Sequence, residues 1–266
     1  MGELDGRVAL VTGGGRGLGA AAALALAEAG ADVAVLGRNS ETLDAVGQAI
    51  GELGRHSVSV VADTASWEQV RAAIAEVEQA LGPIAILVNN AGAVTAIGRL
   101  AEVDPAAWTH DLAVNLNGPF HCARAVIAGM TQRGWGRVLN VTSGAATQPM
   151  RGAAAYSVAK AGLNYFTRIL ATELEATGVT AIAVNPGMLD TDMQAELRAS
   201  PTPDTDFFRE AHAKGWLRPA TEPAALIRWL CGPDGEAFAG QVVSVGDAEV
   251  RARAGLPPTR AAPRRP

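Results

Sequence analysis

The sequence predicts an α/β fold, a doubly wound parallel sheet with helices on both faces. Three observations predict it. Short β-rich runs alternate with helical patterns along the chain, which implies right-handed crossovers between parallel strands. The strand candidates are near-continuous apolar runs, as expected of strands buried on both faces. A glycine-rich turn, Thr12-Gly13-Gly14-Gly15-Arg16-Gly17-Leu18-Gly19, stands between the first strand and the first helix.

The elements follow in order. Residues 7–11 read as the first strand, and residues 17–29 as an alanine-rich helix that Gly30 stops. A strand over 32–36 leads to a helix over 41–53. A strand over 57–62 leads to a helix over 67–81, ended by Gly82-Pro83. Residues 84–88 form the fourth strand, and helical patterns follow at 105–113 and 116–132. A fifth strand at 137–142, a long helix over 153–176, a sixth strand at 179–184 and a seventh at 241–245 complete the pattern. No linker, repeat or composition shift precedes residue 250, so residues 1–250 are expected to form one domain. Residues 251–266 are rich in arginine, alanine and proline. They cannot build a core and are expected to be a mobile tail.

Composition narrows the function. With 266 residues and 48% hydrophobic content, the chain can bury a large core. A net charge of −5 argues against a nucleic-acid surface, which needs a basic stripe. No apolar run reaches the roughly 18 residues that span a bilayer. The polar start Met1-Gly-Glu-Leu-Asp does not read as a signal peptide, so a cytoplasmic protein is expected. Cys122 and Cys231 lack metal-ligand spacing; they read as buried thiols, with no metal site expected.

The chemistry is carried by Tyr156 and Lys160. Positions i and i+4 share a helix face, so this pair places an ammonium beside a phenol. A tyrosine alone, with a pKa of about 10, is a poor base at neutral pH. A nearby cation is expected to lower it and to poise the pair for proton transfer near pH 7. Lys160 and Lys214 are the only lysines in a chain whose basic residues are otherwise arginine, so a lysine here is not background. The glycine turn supplies a second function. Its glycines allow close backbone approach to a pyrophosphate, and the following helix N-terminus offers free N–H groups and a partial positive charge. The bland alternative is a flexible loop.

These features join others in one order: Thr12-Gly13-x-x-x-Gly17-x-Gly19, Asn89-Asn90-Ala91-Gly92, Asn115, Ser143, Tyr156-x-x-x-Lys160 and Asn185-Pro186-Gly187. The set resembles the short-chain dehydrogenase/reductase family over about residues 5–246. That resemblance implies a single-domain Rossmann fold, with a seven-stranded parallel sheet in the order 3-2-1-4-5-6-7, commonly assembled as a homotetramer or homodimer. It also implies an oxidoreductase that moves hydride between a nicotinamide and a ketone or secondary alcohol.

The resemblance implies roles residue by residue. Tyr156 would give its proton to the carbonyl oxygen, or accept one in reverse. Lys160 would lower the tyrosine and hold the nicotinamide ribose. Ser143 would bind the substrate oxygen, and Asn115 would hold a water linking Lys160 to solvent. Alternatively, Ser143 caps local backbone and Asn115 caps a helix. Thr12 would pin the glycine turn, while Gly13, Gly15, Arg16, Gly17, Leu18 and Gly19 would surround the cofactor phosphates. Asp63 would contact adenine. Asn89, Ala91 and Gly92 would line the adenosine side, unless Asn89 and Asn90 tie neighbouring strands instead. Pro186, Gly187 and Thr191 would meet the nicotinamide carboxamide, although Thr191 could equally cap the next helix.

Cofactor choice turns on the end of strand two. An acid there binds a ribose 2′-hydroxyl, whereas an arginine accommodates a 2′-phosphate. Gly37 holds the acid's position and Arg38 follows it, with Arg16 as a second cation. A guanidinium pairs bidentately with phosphate, so NADP(H) is favoured and NAD(H) stays open. The plain alternative for Arg38 is a solvated arginine stacked on adenine.

The substrate pocket is expected along Ala93 to Ala96, with Val94 among them, along Ala145 to Arg151, with Met150, and at Met188 and Leu189. Arg151 could pair a carboxylate or be a plain surface arginine. Residues 190–217, with Pro201, Pro203, Phe207, Phe208, Trp216 and Leu217, read as a mobile lid. The leading expectation is a biosynthetic carbonyl reductase for an apolar-bodied ketone. An alcohol dehydrogenase working oxidatively and a catalytically idle cofactor-binding scaffold are the alternatives. The family's usual Asp-Gly-Gly ending is replaced by Gly246-Asp247-Ala248-Glu249.

Overall fold

Alternating side chains along the strands build two apolar layers from one sheet. Successive residues of a strand point to opposite faces. In β1 (Val8–Thr12), Ala9 and Val11 enter one layer while Val8 and Leu10 enter the other. The same division continues through β2 (Asp32–Gly37), β3 (Ser57–Val61), β4 (Ile84–Asn89), β5 (Gly136–Val141), β6 (Val179–Asn185) and β7 (Val242–Ser244). All pairings are parallel, in the order β3-β2-β1-β4-β5-β6-β7, as the resemblance implied. The computed structural model describes residues 2–200 and 205–258.

Helices cover both faces. On one lie α1 (Gly17–Glu28) and α2 (Ser40–Glu52), which bury Leu18, Leu26, Leu43 and Ile50. On the other, α3 (Trp67–Leu81) and α5 (Gly118–Gln132) bury Val70, Ile74, Val126 and Met130, next to Leu170 of α6 (Ala154–Glu173). Asn39 and Ser66 accept hydrogen bonds from Thr42 and Gln69 and cap α2 and α3.

Three regions differ from expectation. The helical patterns at 105–113 and 116–132 are not separate. α4 (Pro105–Leu112) runs into α5 through a π-helical turn over Ala113–Asn117. The long helix α6 stops three residues early, because Ala176 at φ 61° and Gly178 at φ 79° take left-handed backbone. The lid segment carries two helices, α7 (Asp192–Ala199) and α8 (Thr205–Ala213), packed on each other. Pro201 and Pro203 lie outside the described residues. A further helix, α9 (Thr221–Cys231), packs on α1 and buries Leu226, Ile227 and Leu230.

The C-terminus also departs from the expected tail. α10 (Ala248–Arg253) begins at Asp247, which caps the N–H groups of Glu249 and Val250. Arg251 is 2% exposed rather than solvated, and Ala254 and Leu256 pack on the core. Its guanidinium needs acceptors, and the chain beyond it turns back to supply one at the Pro257 carbonyl. Residues 259–266 lie outside the described residues.

Candidate active site

The carboxyl ends of β1, β2, β4, β5 and β6 open into one cavity of about 1000 Å³. Each wall follows from a local sequence device. At the β1–α1 turn, Gly13 (φ 63°) and Gly17 (φ 54°) take left-handed backbone. A Cβ on Gly13 would meet the backbone of Ala91 at 3.0 Å, and one on Gly19 would run into the Gly13 carbonyl. The first turn of α1 carries neither a side-chain cap nor an acidic residue, so its N–H groups face the cavity mouth unclaimed by side chains.

Behind the turn, Thr12 is buried and its hydroxyl accepts from the N–H groups of Asn90 and Ala91, both at 3.0 Å. Asn90 returns the tie, donating to the carbonyls of Thr12 (3.0 Å) and Gly13 (3.2 Å). Thr12 thus pins the turn from outside the cavity.

Asn89 does not line the cavity. Its amide donates to Asn140 Oδ1 at 2.9 Å, Asn140 donates to Thr167 Oγ1 at 2.9 Å, and Thr167 donates to the Leu163 carbonyl at 2.8 Å. This buried relay joins β4, β5 and α6. Of the two readings left open for Asn89, the strand tie is the one present.

The reacting end lies where β5 and α6 converge. Ser143 follows β5 and caps a short 3₁₀ turn, its hydroxyl accepting from Ala145 N at 3.2 Å. The phenol of Tyr156 lines the cavity beside this hydroxyl. Tyr156 sits deep in the fold, with its ring partly open to the cavity. Lys160 is buried one turn along α6, and its ammonium donates to the Val141 carbonyl at 2.7 Å. Nζ lies 5.6 Å from the Tyr156 ring centre.

The proton affinities differ from the sequence expectation. Burial pushes the Tyr156 phenol above its ordinary value, and only the neighbouring Ser143 hydroxyl pulls it back. Burial also brings the Lys160 ammonium down to about 8. The expected lowering of Tyr156 by Lys160 is absent, because desolvation outweighs a cation held on a backbone carbonyl.

Asn115 is fully buried in the π-helical turn, which directs its amide onto the Ala93 and Asp111 carbonyls at 2.7 and 2.8 Å. Its oxygen accepts from Ala93 N at 3.3 Å. The side chain therefore braces the wall of the cavity rather than entering it. Asp111, which no motif flagged, does the same next door. Its carboxylate accepts from the N–H groups of Thr95 and Ala96 and from the Thr95 hydroxyl.

The remaining candidates fall along the cavity. Gly15, Arg16, Leu18, Arg38, Asp63, Ala91 and Gly92 line one side, and Pro186, Gly187, Met188, Leu189 and Thr191 the other. Arg38 is exposed at the rim with no ion pair among the described residues. Arg16 differs from expectation: it pairs with Asp192 of α7 at 2.7 Å across the mouth. Thr191 occupies the N-cap position of α7 without a capping hydrogen bond, and its methyl faces Gly17.

Val94, Met150, Ala153 and Phe208 form an apolar cluster against Ala145, Tyr156, Met193, Leu197 and Phe207. Met193 and Leu197 were missed, although their spacing on α7 is that of one helix face. Arg151, Trp216 and Leu217 do not reach the cavity. No helix among the described residues is long and apolar enough to cross a membrane.

Known proteins resemble this chain in sequence and fold. The sequence model described as short chain dehydrogenase matches residues 7–202. A 3-oxoacyl-[acyl-carrier-protein] reductase, FabG, of Pseudomonas aeruginosa is 36% identical over 236 residues, covering 89% of this chain and 94% of its own. A galactitol 2-dehydrogenase (L-tagatose-forming) of Cereibacter sphaeroides is 32% identical over 245 residues, covering 91% and 94%. A variant of actinorhodin polyketide ketoreductase solved with NADPH superposes with a TM-score of 0.84 at 33% identity, covering 92% and 97%. The chain is an oxidoreductase and belongs to the short-chain dehydrogenase/reductase family.

Proposed function

We propose that this protein is a cytoplasmic, NADP(H)-dependent carbonyl reductase for neutral ketones with an apolar body. The observation that carries the reading is the convergence of Ser143, Tyr156 and Lys160 on the inner end of a cavity whose other end is a glycine cradle.

The residues present fit a nicotinamide dinucleotide. The close approach of Gly13 to Ala91 and the unclaimed N–H groups of α1 suit a pyrophosphate, and Arg38 suits a 2′-phosphate. A bound nicotinamide supplies the hydride. Ser143 orients the carbonyl oxygen, and Tyr156 delivers a proton to it. A phenol raised by burial is protonated at neutral pH, which suits a donor and hence reduction. Lys160 places a positive charge beneath the ring, held in place by the Val141 carbonyl.

The apolar cluster around Val94, Met150 and Phe208 suits a bulky hydrocarbon body. Apart from Lys160, no lysine or arginine lines the substrate end among the described residues, so a substrate carboxylate would go unpaired. A homo-oligomer is part of the proposal: Phe120, Val158, Tyr165 and Ile169 expose 42–62% of their surface on α5 and α6. Oxidation of a secondary alcohol is the second reading, favoured by the likeness to galactitol 2-dehydrogenase.

The test is NADPH oxidation against alicyclic and aromatic ketones, 2-oxo acids and sugar ketones, with Tyr156→Phe as control. Reduction of the first two groups, lost in the variant, supports the reading. Turnover confined to 2-oxo acids contradicts it.

A further inference from the structure

The C-terminal helix reaches the reacting end of the cavity through charges that never touch the cavity. Arg251 Nη1 donates to Glu222 Oε2 at 3.0 Å and to the Val245 carbonyl at 2.9 Å. Its Nε donates to the Pro257 carbonyl at 2.7 Å. The same Glu222 oxygen accepts from Arg218 Nη1 at 3.0 Å. One carboxylate therefore clamps two guanidiniums. A cation as buried as Arg251 needs that partner, and removing it would unsettle the whole group.

Arg218 in turn shapes the loop after β6. Its N–H donates to the Met188 carbonyl at 2.9 Å, its carbonyl accepts from Asp190 N at 3.4 Å, and it bridges Leu189 as a short parallel pair. Its side chain lies 3.4 Å from where a Cβ of Gly187 would stand. Gly187, Met188, Leu189 and Asp190 line the cavity, whereas Arg218, Glu222 and Arg251 do not. β6 and β2 lie on opposite sides of β1, so this loop stands away from the Arg38 end.

We propose that Arg251 is a positioning residue, acting through Glu222 and Arg218 to hold the 187–190 loop against the nicotinamide half of the cofactor. This rests on the reading of the cavity as a nicotinamide dinucleotide site. Loosening the clamp shifts the loop and leaves the adenosine half of the site in place.

The two halves are separable with NADPH and with 2′,5′-ADP, which carries only the adenosine end. Dissociation constants for both are measured on the full chain, for the parent, Arg251→Met, Arg251→Lys and Glu222→Gln. Expected is a weakening of NADPH by about three- to tenfold in Arg251→Met, with 2′,5′-ADP unchanged within about twofold. Arg251→Lys, which keeps a cation for Glu222, recovers part of the loss.

Glu222→Gln keeps the shape and serves if Arg251→Met does not fold; the same selective loss is expected there. Equal weakening of both ligands, or none in a folded variant, overturns the inference. A parent that binds neither ligand overturns the cofactor reading and the inference with it. A parent that binds both but reduces no ketone overturns the proposed function alone.

Discussion

The ammonium of Lys160 stands 5.6 Å from the centre of the Tyr156 ring and is tied to the Val141 carbonyl 2.7 Å away. Burial shifts the two groups apart, the phenol upward from 10.0 and the ammonium downward from 10.5 to about 8.

A pH-dependent stability follows. The unfolded value of Lys160 is 10.5, so between about pH 8 and 10.5 the unfolded chain binds the extra proton and stability rises with pH. Tyr156 acts in the opposite sense, but only above its ordinary value of 10. Cys122 and Cys231, both raised by burial from 9.0, also act in the opposite sense above about pH 9, so the clean window is about pH 8 to 9. Denaturant unfolding there should show the parent gaining about 1 kcal/mol, a rise that Lys160→Met abolishes. Parallel pH profiles for the two proteins would contradict a buried ammonium at this position.

Removing the proton donor should be decisive for turnover. Tyr156→Phe keeps the ring in its apolar cluster and should cost several orders of magnitude in kcat, with NADPH binding nearly intact. Ser143→Ala, which removes the group that orients the carbonyl oxygen, should cost about 10²–10³ in kcat. Steady-state kinetics from pH 6 to 10 tests both substitutions.

Cofactor preference should rest on Arg38 more than on Arg16, which Asp192 already engages. Arg38→Ala should weaken NADPH by about ten- to a hundredfold and NADH far less. Gly37→Asp should reverse the preference. The fold admits the new side chain, since the nearest atom to a Gly37 Cβ is a Leu43 methyl at 3.4 Å. Equal affinity of the parent for NADH and NADPH would remove the basis for this assignment.

Two glycine and tail changes test the packing. Gly19→Ala drives a methyl into the Gly13 carbonyl and should cost about 1–3 kcal/mol and cofactor affinity together. Truncation after Glu249 removes Arg251 and Leu256 and leaves Glu222 with one guanidinium. It should lower stability by about 2–4 kcal/mol, measured by denaturant unfolding. An unchanged midpoint would show that the α10 contacts contribute nothing.

The sheet and the reacting pair were legible because their signals are local. Apolar runs bounded by glycine mark strands, and Tyr156 and Lys160 are neighbours on one helix face. What sequence spacing could not reveal is depth. The Tyr156 phenol rises because it is buried, a property of the whole fold. Arg251 looked solvated because it opens a segment rich in arginine, alanine and proline, yet Glu222 and the carbonyls of Val245 and Pro257 enclose it. Arg16 was read as a phosphate ligand because Asp192, its partner, lies far along the chain. The two stretches 105–113 and 116–132 read as separate helices because a π-helical turn interrupts the ordinary helical period.

The buried relay Asn89–Asn140–Thr167 has a consequence for how the protein can vary. The relay's one link to α6 is the Asn140 donation to Thr167, so it works at a single height of α6 on the sheet. Sliding α6 by one turn, about 5.4 Å, would strand the Asn140 amide in an apolar interior at about 1–3 kcal/mol. The altitude at which Tyr156 offers its proton is thus pegged from within the core, remote from the cavity walls. α7 and α8 form the outer wall and carry no peg of this kind among the described residues. Substitutions there can reshape what enters while the point of proton delivery stays put, so the molecule keeps its chemistry and its choice of substrate on separate mountings.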